Sequence, residues 1–257
     1  MHRYRVIEFA ELDSTNRYAC RHLRELADGD VIQAGIQTAG RGRWERKWIS
    51  DVPENLCLSL VLKPAGPAPE LPLASLSQLL ALSACRVLES YGLQPALKWP
   101  NDLQVGGRKI AGILAETVVA GREWLGLVLG IGVNLNLNAE TVAAVDQPAT
   151  ALNLELARAV AVPAFRDALL ADFFSHYDNF LARRFPLIRT EYRQRCPFLG
   201  RAITVRSPQT CLHGIARDIT ATGELELELP DGQHRHLNLG EMLWADAPDS
   251  PRFGKSS

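Results

Sequence analysis

Two turn signals in residues 102–136 restrict the fold more than any other feature of this sequence. The stretch "DLQVGGRKIAGILAETVVAG" is too long for a single strand, and the pair Gly106-Gly107 is typical of a two-residue hairpin turn that divides it. The stretch "AGRE" predicts a second turn, directly before the apolar run "EWLGLVLGIGVNLN". With "PALKW" just upstream, this part of the chain predicts a series of strands joined by short turns.

The flanking sequence adds further strands and three helices. Alternating or apolar runs predict strands, and a capping residue or a first-turn proline marks the start of two of the helices. Ser14 or Thr15 can cap the first helix, and Pro163 opens the last one. The predicted strands are "RYRVIEF", "DVIQAGIQ" and "NLCLSLVLKP", and the predicted helices are "NRYACRHLRELA", "LASLSQLLALSACRVLESYG" and "PAFRDALLADFFSHYDNFLARRF".

The pattern changes from about Gly200 onwards. Four short alternating segments, "AITVRS", "LHGIARDIT", "GELELELP" and "HRHLNLGEMLW", are separated mainly by turns that contain glycine. This pattern is typical of a small β-barrel. The final stretch "ADAPDSPRFGKSS" predicts a disordered tail.

Composition excludes several classes of protein. A chain of 257 residues that is 47% hydrophobic can bury a sizeable core. A net charge of −1 and an isoelectric point near 6.6 argue against bulk attraction to nucleic acid or an anionic membrane, so a basic site must be local. The N-terminus has no apolar signal core, and the glycine-interrupted run "WLGLVLGIGVNL" is too short to span a bilayer.

Cysteine and histidine usage points to a reducing compartment. The five cysteines are odd in number and form no CxxC pair, so we expect reduced thiols and a cytoplasmic protein. The six histidines form no pair at zinc-ligand spacing, so we expect no metal held by protein ligands alone.

The loop "GRGRWERKW", residues 40–48, concentrates positive charge in a short stretch. Arg41, Arg43, Arg46 and Lys47 can bind phosphate or carboxylate, while Gly40 and Gly42 let the backbone approach a ligand closely. On its own the loop is equally well explained as a solvated turn. An RNA-binding loop is a third reading, which the absence of a wider basic pattern in the sequence disfavours.

Three further segments combine polar residues with glycines in strands. They are "KWPNDL" (98–103), "GRKIAGILAE" (107–116) and "GIGVNLN" (130–136). Asn101 and Asp102 are ordinary turn formers, but a glycine inside a strand is costly unless something approaches the backbone there. The sequence contains no Walker loop, its GxG opens no helix, and no Ser-His-Asp or Cys-His pairing is evident.

Together with "STN" (14–16), these segments resemble the biotin protein ligase family, in the family's order and over nearly the whole chain. The resemblance implies an α+β fold, with a mixed central β-sheet flanked by helices (residues 1–195) and a small C-terminal β-barrel (196–246). The sequence itself predicts a disordered tail at residues 247–257. Only thirteen residues precede Ser14, so we expect the single-function form without a DNA-binding domain.

The resemblance also implies which residues bind biotin. Hydroxyl and amide groups supply the donors and acceptors that a urea ring needs, and an arginine-glycine segment folds over the valerate chain. The matching residues are Ser14, Thr15, Asn16, Gln37, Gly40, Arg41, Gly42, Arg43, Lys109, Gly112 and Gly132.

The same resemblance implies ATP-dependent activation of biotin to biotinyl-5'-AMP, followed by transfer to a lysine of a biotin carboxyl carrier domain. Cations and Mg²⁺ arriving with ATP suit a phosphoryl centre, and no enzyme nucleophile is required. The matching nucleotide-binding residues are Arg43, Arg46, Trp48, Asn101, Lys109 and Asn134, and the expected catalytic residues are Lys109, Arg43 and Asp102.

Three positions carry specific expectations. Asp102 either places or deprotonates the incoming lysine of the carrier, or holds an arginine of the loop; an aspartate beside a cation is a poor base, which favours placement. Glu45 stands where the family usually has glycine and can pair with Arg43 or Arg46. Trp244 stands where basic residues are often found, so the sequence gives no basis for predicting a contact between the barrel and ATP.

Competing functions are a lipoate ligase or related acyltransferase, a non-catalytic biotin sensor or repressor, and a nucleic-acid-binding module. The "GRGR" loop and "KWPNDL" favour biotin over lipoate. We expect a carrier domain, biotin and ATP as partners, no DNA or membrane partner, and a possible homodimer.

Overall fold

The structure, a computed structural model, describes residues 3–49, 54–64, 73–143 and 147–244, and the side chain of Glu45 is not among the described parts. The predicted tail at 247–257 and the predicted role of Glu45 therefore lie outside the described residues. The strands are β1 Arg5–Leu12, β2 Asp30–Gln37, β3 Leu56–Leu62, β4 Pro95–Lys98, β5 Asp102–Val105, β6 Arg108–Ala120, β7 Glu123–Val133, β8 Ala202–Arg206, β9 Cys211–Ile219, β10 Leu225–Glu228, β11 His234–Leu237 and β12 Glu241–Trp244. The helices are α1 Thr15–Arg21, α2 Leu73–Ser90, α3 Ala139–Ala143, α4 Leu152–Leu156, α5 Val162–Arg183 and α6 Arg189–Gln194.

Seven strands form the central sheet in the order β1-β2-β3-β7-β6-β5-β4. Only β1 and β2 are parallel; the other neighbours pair antiparallel, so the sheet is mixed, as expected. The predicted hairpin is present between β5 and β6, where Gly106 and Gly107 have φ of 56° and 77°. Both values lie in the left-handed region that glycine adopts without steric cost.

The two faces of the sheet are buried by different helices because apolar residues on the inner strands point to both sides. One cluster joins alternate residues of β3 and β7, such as Leu58 and Leu129, with α2 and α5. The other joins Val61 and Val128 with Ala19 of α1. Since α1 has only seven residues, it leaves part of its face of the sheet free for a site.

The C-terminal strands form a separate antiparallel sheet in the order β11-β10-β9-β8-β12. Among the described residues β11 and β12 are its two edges, so the predicted barrel takes the form of an open sheet. Its buried residues, including Val205, Leu225 and Met242, belong to the same apolar cluster as α2 and α5. The C-terminal sheet is therefore packed against the body, which brings β12 beside the central sheet's strands.

No helix in the described ranges is long and apolar enough to cross a membrane.

Candidate active site

A cavity of about 930 Å³ lies on the α1 face of the central sheet, below the basic loop. Every predicted site residue except Gly40 lines it, although these residues are spread over 120 positions of the chain. The C-terminal sheet lines it too, through Arg206 and residues 241–244. The predicted residues that line it are Ser14, Thr15, Asn16, Gln37, Arg41, Gly42, Arg43, Arg46, Trp48, Asn101, Asp102, Lys109, Gly112, Gly132 and Asn134.

Glycines form the floor of the cavity, so no side chain of the sheet projects into it there. Gly112 of β6 pairs with Gly132 of β7, so both open onto the same face of the sheet. The indole of Trp48 lies against this floor: a Cβ at Gly132 would stand 2.3 Å from its Cε2 atom. These glycines therefore do leave room at the sheet, and the loop's own tryptophan lies in part of it.

The basic loop forms a small hairpin over the floor. The Gly42 amide donates to the Arg46 carbonyl at 2.7 Å, and the Trp48 amide donates to the Gly40 carbonyl at 2.9 Å. A Cβ at Gly40 would stand 2.5 Å from the Trp48 carbonyl oxygen, so Gly40 shapes the loop by allowing this close approach. At the turn Trp44 has φ of 53°, a left-handed conformation that is uncommon outside glycine.

Each arginine of the loop contacts oxygen atoms from another element. Arg41 pairs with Glu116 of β6 at 2.8 Å, and Arg46 pairs with both carboxylate oxygens of Glu241 of β12 at 2.6 and 2.7 Å. Arg43 donates instead to two neutral oxygens, Asn101 Oδ1 at 3.2 Å and the Gly240 carbonyl oxygen at 2.8 Å. Burial lowers the pKa of Arg43, whereas the hydrogen bonds that Arg46 donates to Glu241 raise the pKa of Arg46.

Lys109 reaches the cavity because β6 carries a bulge beside it. Gln104 pairs with Lys109 but the preceding Leu103 pairs with Ala111, so one extra residue stands in β6. In a regular strand Lys109 and Gly112 would face opposite sides; the bulge turns both to the same side. The Lys109 ammonium lies 2.8 Å from Asp102, with both side chains less than one fifth exposed.

A polar cluster forms the opposite end of the cavity, at the start of α1. Gln37 Oε1 accepts from the amide of Thr15 at 2.8 Å and from its hydroxyl at 3.2 Å. The hydroxyl of Ser59 donates to Thr15 Oγ1 at 2.8 Å and lies 2.5 Å from Asn16 Oδ1. Ser14 caps α1 by accepting from the Arg17 amide at 3.4 Å, which matches the capping role expected for it.

Asn101 and Asn134, the two asparagines predicted to bind the nucleotide, each hold a backbone carbonyl in place. Asn134 donates to the Thr150 carbonyl at 3.0 Å, and Asn101 donates to the Ile113 carbonyl at 2.8 Å. Thr150 in turn donates its amide to the Lys109 carbonyl at 2.9 Å. Both asparagines therefore fix the walls around Lys109 and Arg43.

Four contributors were missed by the sequence reading: Ser59, Glu116, Gly130 and Glu241. Gly130 makes room for Asn16, whose Oδ1 would lie 2.0 Å from a Cβ there. Glu116 lies four residues after Gly112 in β6, so the strand's two-residue period was a signal that it shares the cavity face. Ser59 and Glu241 carry no local signal, and Glu241 shows that the C-terminal sheet does reach the loop.

Cys20 lies near this cluster but is not an activated nucleophile. Burial and then the neighbouring Glu116 raise its pKa to about 11, against the opposing effect of Arg41. The thiol therefore stays protonated at neutral pH.

Comparison with known proteins gives a consistent match. The profile of the Biotin/lipoate A/B protein ligase family matches residues 8–134, and that of the Biotin protein ligase C terminal domain matches residues 198–243. A biotin--[acetyl-CoA-carboxylase] ligase of Paracoccus denitrificans is 36% identical over 234 residues, which cover 87% of this chain and 94% of the relative.

Two further relatives extend the match. The bifunctional ligase/repressor BirA of Bacillus spizizenii is 28% identical over 210 residues, and the chain spans 63% of its length. The structure of a biotin protein ligase from Aquifex aeolicus in complex with biotin and ATP superposes with a TM-score of 0.78 at 24% identity, covering 93% of this chain and 97% of that one. That structural likeness supports the fold.

Proposed function

The chain belongs to the biotin/lipoate A/B protein ligase family, and we propose that it is an ATP-dependent biotin–[acetyl-CoA-carboxylase] ligase. Its reaction has two steps. A carboxylate oxygen of biotin attacks the α-phosphorus of ATP, the bond to the bridging oxygen breaks, and pyrophosphate leaves with the electron pair. The amine of a carrier lysine then attacks the acyl carbon of biotinyl-5'-AMP; AMP leaves and the amine loses a proton.

One observation carries the proposal: a neutral polar cluster and a set of cations lie at opposite parts of one cavity, with a glycine floor between them that the Trp48 indole covers in part. Hydroxyl and amide groups of Thr15, Asn16 and Gln37 suit a ureido ring. Lys109 and Arg43 suit the carboxylate and the α-phosphate, which must be brought together despite their like charges. The floor at Gly112 and Gly132 suits the apolar chain of biotin.

Two buried donors support binding of an anionic ligand. Arg41 Nε and Trp48 Nε1 have no hydrogen-bond partner among the described residues. Native structures rarely leave buried donors unpaired. Both atoms belong to the loop that covers the floor, so a ligand with acceptor oxygens in the cavity can satisfy them.

In this proposal Asp102 places Lys109. It lies 2.8 Å from the ammonium and attracts Arg43 and Arg46 as well. A carboxylate among three cations attracts all of them and holds them at a fixed separation before ATP binds. Mg²⁺ arrives with ATP as part of the substrate, as is usual for this ion.

The partner in the second step is a biotin carboxyl carrier domain. Its lysine must reach the adenylate, so we place the docking surface at the cavity mouth, along the sheet near β5. We place the enzyme in the cytoplasm, in keeping with its five cysteines, which form no disulfide among the described residues. A homodimer remains a prediction from the sequence.

The function is tested by incubating the protein with ATP, Mg²⁺, biotin and a carrier domain, and then measuring the mass of the carrier. The proposal expects one added biotinyl group, which requires both ATP and the acceptor lysine. Lipoate in place of biotin is the matched control, and thermal unfolding with each compound adds a binding readout. Transfer of lipoate but not biotin would identify a lipoate ligase; biotin binding without transfer would identify a sensor.

The loop at residues 40–48 is expected to become more protected from hydrogen exchange when a non-hydrolysable biotinyl adenylate binds. Ordering costs about 1–2 kcal/mol per residue fixed, and new charge-assisted hydrogen bonds to the phosphate must offset it. The arginine contacts to Glu116 and Glu241 already reduce repulsion among the cations. Equal protection with and without the adenylate would exclude a role for the loop as a lid.

A further inference from the structure

Glu116 joins two parts of the candidate site through its two carboxylate oxygens. Its Oε2 accepts from the Asn16 amide nitrogen at 2.8 Å, and its Oε1 accepts from the guanidinium of Arg41 at 2.8 Å. Asn16 belongs to the polar cluster at α1, and Arg41 belongs to the basic loop. One carboxylate therefore connects the two, with 28% of its side chain exposed.

Asn16 has its orientation fixed by this carboxylate. Its amide nitrogen donates to Glu116 and to the Leu114 carbonyl at 3.1 Å, which uses both of its hydrogens. Its oxygen faces the Ser59 hydroxyl, and Gly130 provides the space for that oxygen. A glutamate is required because the position must present one acceptor to a neutral amide and a second, charged acceptor to an arginine.

We propose that Glu116 is a positioning residue that couples the polar biotin-binding cluster to closure of the basic loop. The proposal rests on the proposed function, because it assigns Asn16 and Arg41 to biotin binding. When the loop is closed, Arg41 neutralises Glu116 and the carboxylate holds Asn16 in place. When the loop moves away, the partly buried carboxylate loses its cation, and its hold on the cluster weakens.

The coupling is reciprocal by thermodynamic necessity. If loop closure improves the geometry of the cluster for biotin, biotin must favour loop closure to the same extent. The coupling predicts an effect that a purely structural ion pair would not have. Without Glu116, biotin should no longer protect the loop, while the ATP contacts at Lys109 and Arg43 stay intact.

The test uses Glu116→Ala and Glu116→Gln in the full chain. Alanine removes both acceptors, whereas glutamine keeps one acceptor and no charge. We expect Glu116→Ala to raise the KM for biotin by about tenfold or more, the effect of losing a charge-assisted hydrogen bond, with less than about a twofold change in the KM for ATP. The KM of Glu116→Gln for biotin should lie between those of the wild-type protein and Glu116→Ala. Glu123→Ala is the matched control, because Glu123 pairs with Arg24 on the surface, outside the cavity.

The second readout is hydrogen exchange of residues 40–48 with and without biotin. In the wild-type protein and in Glu123→Ala, biotin should increase protection; in Glu116→Ala it should not. Arg41→Ala should reproduce the biotin defect, and the double variant Arg41→Ala/Glu116→Ala should be no worse than the more affected single variant.

The outcomes separate the inference from the function on which it rests. A wild-type protein that neither binds biotin nor forms biotinyl-5'-AMP overturns the proposed function. A wild-type protein that does both, with Glu116 variants that keep the wild-type KM for biotin and its loop protection, overturns the coupling alone. Equal losses in the KM for biotin and ATP, together with a lowered melting temperature, would reduce Glu116 to a structural ion pair and also overturn it.

Discussion

Lys109→Ala should lower the rate of biotinyl-5'-AMP formation by about 10²–10³-fold, the typical effect of removing one preorganised electrostatic donor from a reacting centre. The bulge in β6 turns Lys109 towards the glycine floor, and Asp102 holds its ammonium at 2.8 Å. At that place it can neutralise the biotin carboxylate and the α-phosphate as they approach each other. The variant should remain folded, because the lysine backbone keeps its contacts with residues 148–150.

Release of pyrophosphate in single turnover measures this effect, since it follows adenylate formation and excludes carrier transfer. Lys63→Ala is the control: this lysine bonds the Leu26 carbonyl, outside the cavity. The assigned role is wrong if Lys109→Ala has the wild-type melting temperature and still forms adenylate at the wild-type rate.

Arg43→Ala should produce the second largest loss, about 10²-fold in adenylate formation. Most of the effect should appear in the KM for ATP and in the rate of adenylate formation, and little in the affinity for biotin. Arg43 contacts two neutral oxygens, so its charge is not cancelled by a hydrogen-bonded carboxylate and is available to phosphate. Arg46 is paired with Glu241 and is half exposed, so Arg46→Ala should cost less than Arg43→Ala.

Calorimetric titration with biotin, together with steady-state kinetics in ATP, separates these effects. Arg122→Ala, at an exposed turn between β6 and β7, serves as the control and should match the wild-type protein. A larger loss for Arg46→Ala than for Arg43→Ala would contradict the assignment, because it would mean that the paired guanidinium contributes more than the unpaired one.

Local signals were sufficient to predict most of the fold. Gly106-Gly107 predicted the β5–β6 hairpin because both residues need positive φ, and "DVIQAGIQ" matches β2 residue for residue. The short helices α3, α4 and α6 were not predicted; with five or six residues each they depend on packing more than on sequence periodicity.

The motifs named candidate site residues but not the connections between them. Thr15, Gln37 and Lys109 line one cavity. Ser59, Glu116 and Glu241 lie 43 or more residues away from the groups they bind, which are on Asn16, Arg41 and Arg46 among others. Such pairs follow from tertiary packing alone. The β6 bulge was also missed, because its cause is the two-against-one register with β5.

A crystal structure with a non-hydrolysable biotinyl adenylate would test whether this cavity is where biotin is activated. We predict the ureido ring beside Thr15 and Gln37, the acyl chain along the floor at Gly112 and Gly132, and the phosphate within hydrogen-bonding distance of Lys109 and Arg43. An adenylate bound with its phosphate away from both cations, or outside the cavity, would contradict the account.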